Sequence, residues 1–99
     1  MKQRDHFIAY VAQDNDESVG YCVATVDSLI GEIASLFVSE PYRGKGVGEE
    51  LMFLALKWLE GQGCEAIRVS IAVGNENVLG FYRKFGFTEK IVVMQRTRN

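Results

Sequence analysis

The residues best suited to chemistry in this 99-residue chain are Arg43-Gly44-Lys45-Gly46-Val47-Gly48. An apolar run leads into them and a helical pattern leaves them. The first amides of a helix have no partners within the helix, and the helix dipole places positive charge at the same end. Glycines remove the Cβ atoms that would hold a phosphate away from those amides. Arg43 and Lys45 add two cations. Together these features form a cradle for a diphosphate. The same residues are compatible with a tight left-handed turn that carries two solvated basic side chains. A nucleoside-triphosphate loop would end in Gly-Lys-Ser/Thr, and a dinucleotide fingerprint would read G-x-G-x-x-G; here the glycines fall at 44, 46 and 48.

Other reactive side chains are sparse. His6 is the only histidine and has no Ser or Cys partner nearby in sequence, so its reading is structural. Cys22 and Cys64 lack metal-ligand spacing and read as small buried apolar residues of a reducing compartment, with a disulfide left open. No metal is expected. Arg83 and Lys84 read as a solvated face, Phe81, Phe85 and Phe87 as core, and Arg96 and Arg98 as solubilising residues of the tail. The net charge of −2 argues against a nucleic-acid partner held by bulk charge. Lys2-Gln3-Arg4-Asp5-His6 is followed by only a few apolar residues, so no signal peptide is read there. No apolar stretch reaches the roughly 20 residues that span a bilayer. A cytoplasmic protein without membrane attachment is expected.

The elements that must position the glycine loop follow from pattern. Phe7–Gln13, Val19–Val26 and Ile30–Val38 are apolar and β-prone, separated by Asp14-Asn15-Asp16-Glu17-Ser18 and Asp27-Ser28, and predict an antiparallel meander. Pro41 ends the third strand. Val47, Leu51, Leu54, Ala55, Trp58 and Leu59 recur at helical spacing and predict a helix over Val47–Gln62, with Glu49 and Glu50 in its first turn and Gly61 and Gly63 as stops. Ala66–Val73 reads as a fourth strand. Val78–Phe85 reads as a short helix capped by Asn75 or Asn77, with Gly86 past its end. Phe87–Arg96 reads as a last strand. The fold class is α/β (α+β), one domain over residues 1–99, with a mixed, mostly antiparallel sheet in the order β-β-β-α-β-α-β.

Arg43-x-x-Gly46-x-Gly48 resembles the Q/R-x-x-G-x-G/A signature of the GNAT superfamily of acetyl-CoA-dependent N-acetyltransferases. A second block, Asn75-Glu76-Asn77-Val78-Leu79-Gly80-Phe81-Tyr82-Arg83-Lys84-Phe85-Gly86-Phe87, is similar to that family's N-x-x-A-x-x-x-Y-x-x-x-G-F segment, with Val78 in place of the small residue. The resemblance covers roughly residues 7 to 95. It implies a sheet that splays between its third and fourth strands, with the pantetheine arm of acetyl-CoA in the opening, paired to backbone like an added strand. Leu36, Phe37 and Val38 would line that opening. The amides of Gly44 to Gly48 would hold the pyrophosphate, and Asn75 would bond the pantetheine arm. Acetyl-CoA is thus the implied co-substrate, without a metal.

Acetyl transfer to an amine needs the amine neutral, and an alkyl ammonium with a pKa near 10.4 is almost wholly protonated at neutral pH. Glu32, eleven positions before Arg43 on the third strand, is the candidate base, at a spacing that resembles the glutamate of the family's histone-acetylating branch. It is also compatible with a solvated or substrate-positioning carboxylate. The resemblance implies a backbone N–H near Phe37 or Val38 for the oxyanion and gives Tyr82 the role of general acid or stabiliser of the leaving thiolate; Tyr82 is also compatible with a helix-face aromatic whose hydroxyl is satisfied elsewhere. The function implied is an N-acetyltransferase acting on a primary amine by direct attack through a tetrahedral intermediate. The alternatives are a non-catalytic acyl-CoA-binding or regulatory module, or another phosphate binder using the glycine loop alone. The family usually opens with a strand and one or two helices that this chain does not show before its meander. Three explanations stand open: a naturally minimal member, a truncated product, or a dimer partner that completes the missing wall. Exposed apolar sheet surface favours self-association, so a homodimer is expected, alongside a small-molecule or peptide amine as acceptor.

Overall fold

The structure, a computed structural model, describes residues 6–72 and 74–98. Three strands, β1 (His6–Asp14), β2 (Glu17–Asp27) and β3 (Ile30–Val38), form the expected antiparallel meander, joined by turns in which Asn15 and Ser28 each adopt φ 58°. Helix α1 (Val47–Gly61) crosses back over the sheet, and β4 (Ala66–Val69) pairs parallel to β3. A parallel pair requires such a long crossover, and the helix supplies it. The sheet order is β1-β2-β3-β4. A short helix, α2 (Leu79–Arg83), follows a single 3-10 turn at Glu76–Val78.

The core lies between α1 and one face of the sheet. Cys22, Ala24 and Val26 alternate along β2 and point to it, as the twofold period of a strand requires. Leu51, Met52, Ala55 and Leu59 of α1 are buried against them. Helix and strand meet most closely at Gly31, where a Cβ would lie 2.8 Å from Leu59 Cδ2 and 3.0 Å from Cys64 Sγ. Both cysteines are free; burial pushes the Cys22 thiol up to about 11 and keeps it inert.

One irregularity in β3 decides what the site sees. Val23 pairs with Ser35 but Ala24 pairs with Ile33, so Ala34 is an extra residue, a β-bulge. The bulge changes the facing of everything beyond it. Gly31 and Ile33 face α1 before it, and Leu36 and Val38 pack on the same core after it. Glu32, Ser35 and Phe37 face the other way.

Several expectations need correction. Phe87–Arg96 forms no strand: residues 87–98 have no regular structure, and Ile91, Val92, Val93 and Met94 are 76–90% exposed. A β-prone run becomes a strand only where an edge pairs with it, and the sheet's last strand is four residues long. That fourth strand ends at Val69 because β3 diverges from it beyond Ile33; Val73, its expected end, lies outside the described residues, as do Lys2 to Asp5. Helix α2 begins after Val78 with no side-chain cap, because the preceding 3-10 turn places Asn75 and Asn77 ahead of its first amide. On α1, Met52 is fully buried, whereas Leu54 is 41% exposed.

Candidate active site

The N-terminus of α1 opens into a cleft of about 460 Å³ between the end of β3, the glycine loop and α2. Gly44 and Gly46 adopt φ 75° and 88°, where a side chain is strained, and Gly46 is the N-cap of α1. The first helical bond runs from Glu50 N–H to Gly46 C=O at 3.0 Å, so the amides ahead of Glu50 are not engaged within the helix. Gly48 sits on the cleft wall. A Cβ there would lie 3.6 Å from the Phe81 ring and 3.7 Å from Val38, filling space that a bound group would use. Unengaged helix amides beside glycines without Cβ atoms are a geometry that could hold an anion such as a pyrophosphate.

The loop is tied down at two points. Tyr42 donates its hydroxyl to Asp14 Oδ2 at 2.6 Å, pinning the loop to the β1–β2 turn. That acceptor holds the Tyr42 phenol above its usual range. Arg43 donates from Nε to the Val38 carbonyl at 2.7 Å, and its guanidinium stands 5.8 Å from the Phe37 ring centre. Arg43 therefore braces the end of β3 as well as facing the cleft. Tyr42 carries no signal in sequence beyond its place beside the loop.

Tyr82 reaches the cleft from α2. Its ring is packed edge-on against Phe81 at 5.2 Å and Phe87 at 5.9 Å. Among the described residues its hydroxyl has no hydrogen-bond partner. Burial, and then the neighbouring Cys22, push its phenol above the ordinary value, so it remains protonated and able to donate at neutral pH. Glu32 lies on the opposite face of the sheet. It pairs with Thr25 and Arg68, one position before the β3–β4 ladder ends at Ile33 and Val69. It thus stands at the vertex of the expected splay, with Tyr82 on the other side. From Ala34 onward the outer edge of β3 has no partner strand among the described residues, which leaves backbone groups at Leu36 to Val38 for a ligand.

Of the residues predicted from sequence, the cleft gathers Leu36, Val38, Arg43, Gly44, Gly46, Gly48 and Tyr82. Phe37 turns to the far face, where its ring meets Tyr21 at 5.8 Å. Lys45 is exposed off the cleft, and Val47 packs toward the core. Asn75 is exposed in the turn before α2, its N–H bonded to Ala72 C=O at 3.0 Å and its C=O accepting from Val78 N–H. Sequence reasoning missed Glu49 and Lys84, which also line the cleft and form an ion pair. Arg83 likewise has a partner, Glu89 at 2.5 Å. His6 proves structural: it bonds Gln62 Oε1 at 2.6 Å and lies edge-on to Trp58. On the far face a second hollow of about 460 Å³ is lined by Ala9, Val11, Tyr21, Val23 and Phe37.

Residues 1–87 match the model of the acetyltransferase (GNAT) family. The chain is 36% identical over 76 residues to N-alpha-acetyltransferase MAK3 of Arabidopsis thaliana, which covers 69% of the chain and 40% of that protein. It is 32% identical over 84 residues to N-alpha-acetyltransferase 30 of Schizosaccharomyces pombe, covering 80% of the chain and 56% of that protein. It therefore spans about half the length of these relatives. Among solved structures, the aminoglycoside N-acetyltransferase AAC(6')-Iy in complex with CoA superposes with a TM-score of 0.81 at 21% identity, covering 97% of this chain and 79% of that one. Glucosamine-6-phosphate N-acetyltransferase from Arabidopsis thaliana superposes with a TM-score of 0.77 at 19% identity, covering 94% and 66%.

Proposed function

Because the chain belongs to the acetyltransferase (GNAT) family, we propose that it transfers an acetyl group from acetyl-CoA to a primary amine by direct attack. The observation that carries this reading is one cleft holding both the glycine cradle and a protonated, unpartnered tyrosine. Anion binding alone requires no Tyr82. In the proposed reaction the neutral amine attacks the thioester carbonyl carbon. A C–N bond forms, and the carbonyl electrons move to oxygen, where a free amide on the outer edge of β3 stabilises them. The C–S bond then breaks. Tyr82 gives its proton to the departing sulfur, and the attacking nitrogen loses a proton toward Glu32, directly or through water.

The opposed placement of the two groups supports an ordered geometry. Acetyl-CoA would enter from the α1 side and the amine from the far side, meeting where the strands part. A carboxylate side chain, Glu32, on the acceptor side suits an amine acceptor. The homologous N-alpha-acetyltransferases by their names act on α-amines, and the aminoglycoside enzyme on sugar amines; both are primary amines. The acceptor proposed here is of that class.

The test is isothermal titration of the chain with acetyl-CoA, and separately with ATP and NAD. Micromolar acetyl-CoA binding without response to the other two is expected. Failure to bind would withdraw the catalytic assignments with it.

We further propose that a second copy covers the far face, where Phe7 is 69%, Val11 56% and Phe37 44% exposed. Such a partner would wall the acceptor side. Light scattering should return a dimer mass at micromolar concentration, and a monomer throughout would remove the idea.

A further inference from the structure

We propose that Lys84, which rests against Glu49 in the cleft, is a phosphate ligand there, and that its ammonium favours phosphate-bearing thioesters over phosphate-free ones. The proposal rests on the acyl-CoA reading and deepens it. Of the two cations that flank the loop in sequence, Arg43 faces the cleft while bracing the end of β3, and Lys45 does not line it. Lys84 comes from the end of α2, 35 residues from its partner, and its ammonium bonds the Glu49 carboxylate while lying 5.3 Å from the Phe81 ring centre. Both residues line the same cleft as Gly46 and Gly48.

Glu49 makes the arrangement informative. A carboxylate in the first turn favours the helix, yet Glu49 lines the same cleft as the glycine loop, so its charge and that of a bound phosphate would repel. An ammonium has three donors. One satisfies Glu49, which leaves donors for phosphate oxygens and neutralises the charge that would otherwise exclude them. Lys84 also follows α2 directly and is two residues from Tyr82. Phosphate occupancy would therefore fix the helix that carries the proposed acid.

The test measures CoA affinity by titration, and kcat/KM with acetyl-CoA against S-acetylpantetheine, which carries no phosphate. Lys84→Gln should weaken CoA about tenfold or more, the scale of a lost charge-assisted hydrogen bond, and lower kcat/KM far more with acetyl-CoA than with S-acetylpantetheine. Lys84→Arg should restore most of the affinity. Glu49→Gln should tighten CoA, since it removes the competing anion. A purely structural ion pair predicts the opposite: both variants would weaken CoA, together with the melting temperature. That result, or wild-type affinity in Lys84→Gln, overturns the proposal while leaving the enzyme reading intact. Absence of CoA binding in the wild type overturns the acyl-CoA reading itself.

Discussion

Gly48→Asp is expected to abolish acetyl-CoA binding while leaving the fold intact or slightly firmer. The new Cβ would point at Phe81 and Val38, at 3.6 and 3.7 Å, which are ordinary contact distances, so the chain has room for it. The carboxylate is what binding cannot accommodate. Two unit charges about 4 Å apart at an effective dielectric near 20 repel by about 4 kcal/mol, roughly a thousandfold in affinity. The same carboxylate in the first turn of α1 improves the helix. Stability and binding should therefore move in opposite directions, which a general unfolding effect cannot mimic. Titration beside a thermal melt reads both, and Gly48→Ala separates volume from charge: it should cost far less. Unchanged affinity in Gly48→Asp would take the loop out of the site.

Tyr82→Phe is expected to lower kcat about a hundredfold, at the low end of what a positioned general acid contributes, with CoA affinity within a few-fold of wild type. The substitution keeps the ring and its edge-on contacts with Phe81 and Phe87. Only the hydroxyl is lost, and it has no protein partner among the described residues. The pH profile adds a check. Burial raises the Tyr82 phenol above its ordinary value. A general acid must be protonated, so its alkaline limb should fall above the usual phenol pKa of about 10. That limb should vanish in Tyr82→Phe. An effect on CoA affinity larger than on turnover would place Tyr82 in binding rather than in proton transfer.

What the sequence disclosed depended on how local each feature is. The loop was legible because its demands are local: the positive φ at Gly44 and Gly46 and the helix that follows are set within a few residues. The same holds for the meander, whose short turns bring neighbouring strands together. The strand expected over Phe87–Arg96 failed for the converse reason. Ile91-Val92-Val93-Met94 has the composition of a strand, but pairing is a long-range event that composition does not contain. Lys84 is solvent-exposed, as its sequence reading has it, but its pairing with Glu49 was not legible because the two are adjacent only after α2 has folded back on α1. The bulge at Ala34 is the most consequential omission. A plain twofold alternation would set Glu32 on the same face as Leu36 and Val38; the extra residue sets them on opposite faces, and no residue type announces it.

The parallel pair of β3 and β4 has a consequence for motion. It comprises four residue pairs, and its outer strand is only partly buried, whereas β1, β2 and β3 are joined along nearly their whole length. It also closes over a crossover of 27 residues, between Val38 and Ala66, so its formation carries the largest loop entropy in the sheet. Local opening draws on segments with few buried apolar contacts, and β4 is such a segment. Glu32 and the vertex of the splay thus lie against the first part of the sheet to fray, while the glycine cradle rests on the end of β3 and α1, which are held by the core. The molecule joins a rigid anchor for one end of a long ligand to a breathing seam at the other, and amide exchange at Ile67 and Val69 is the natural clock of that seam.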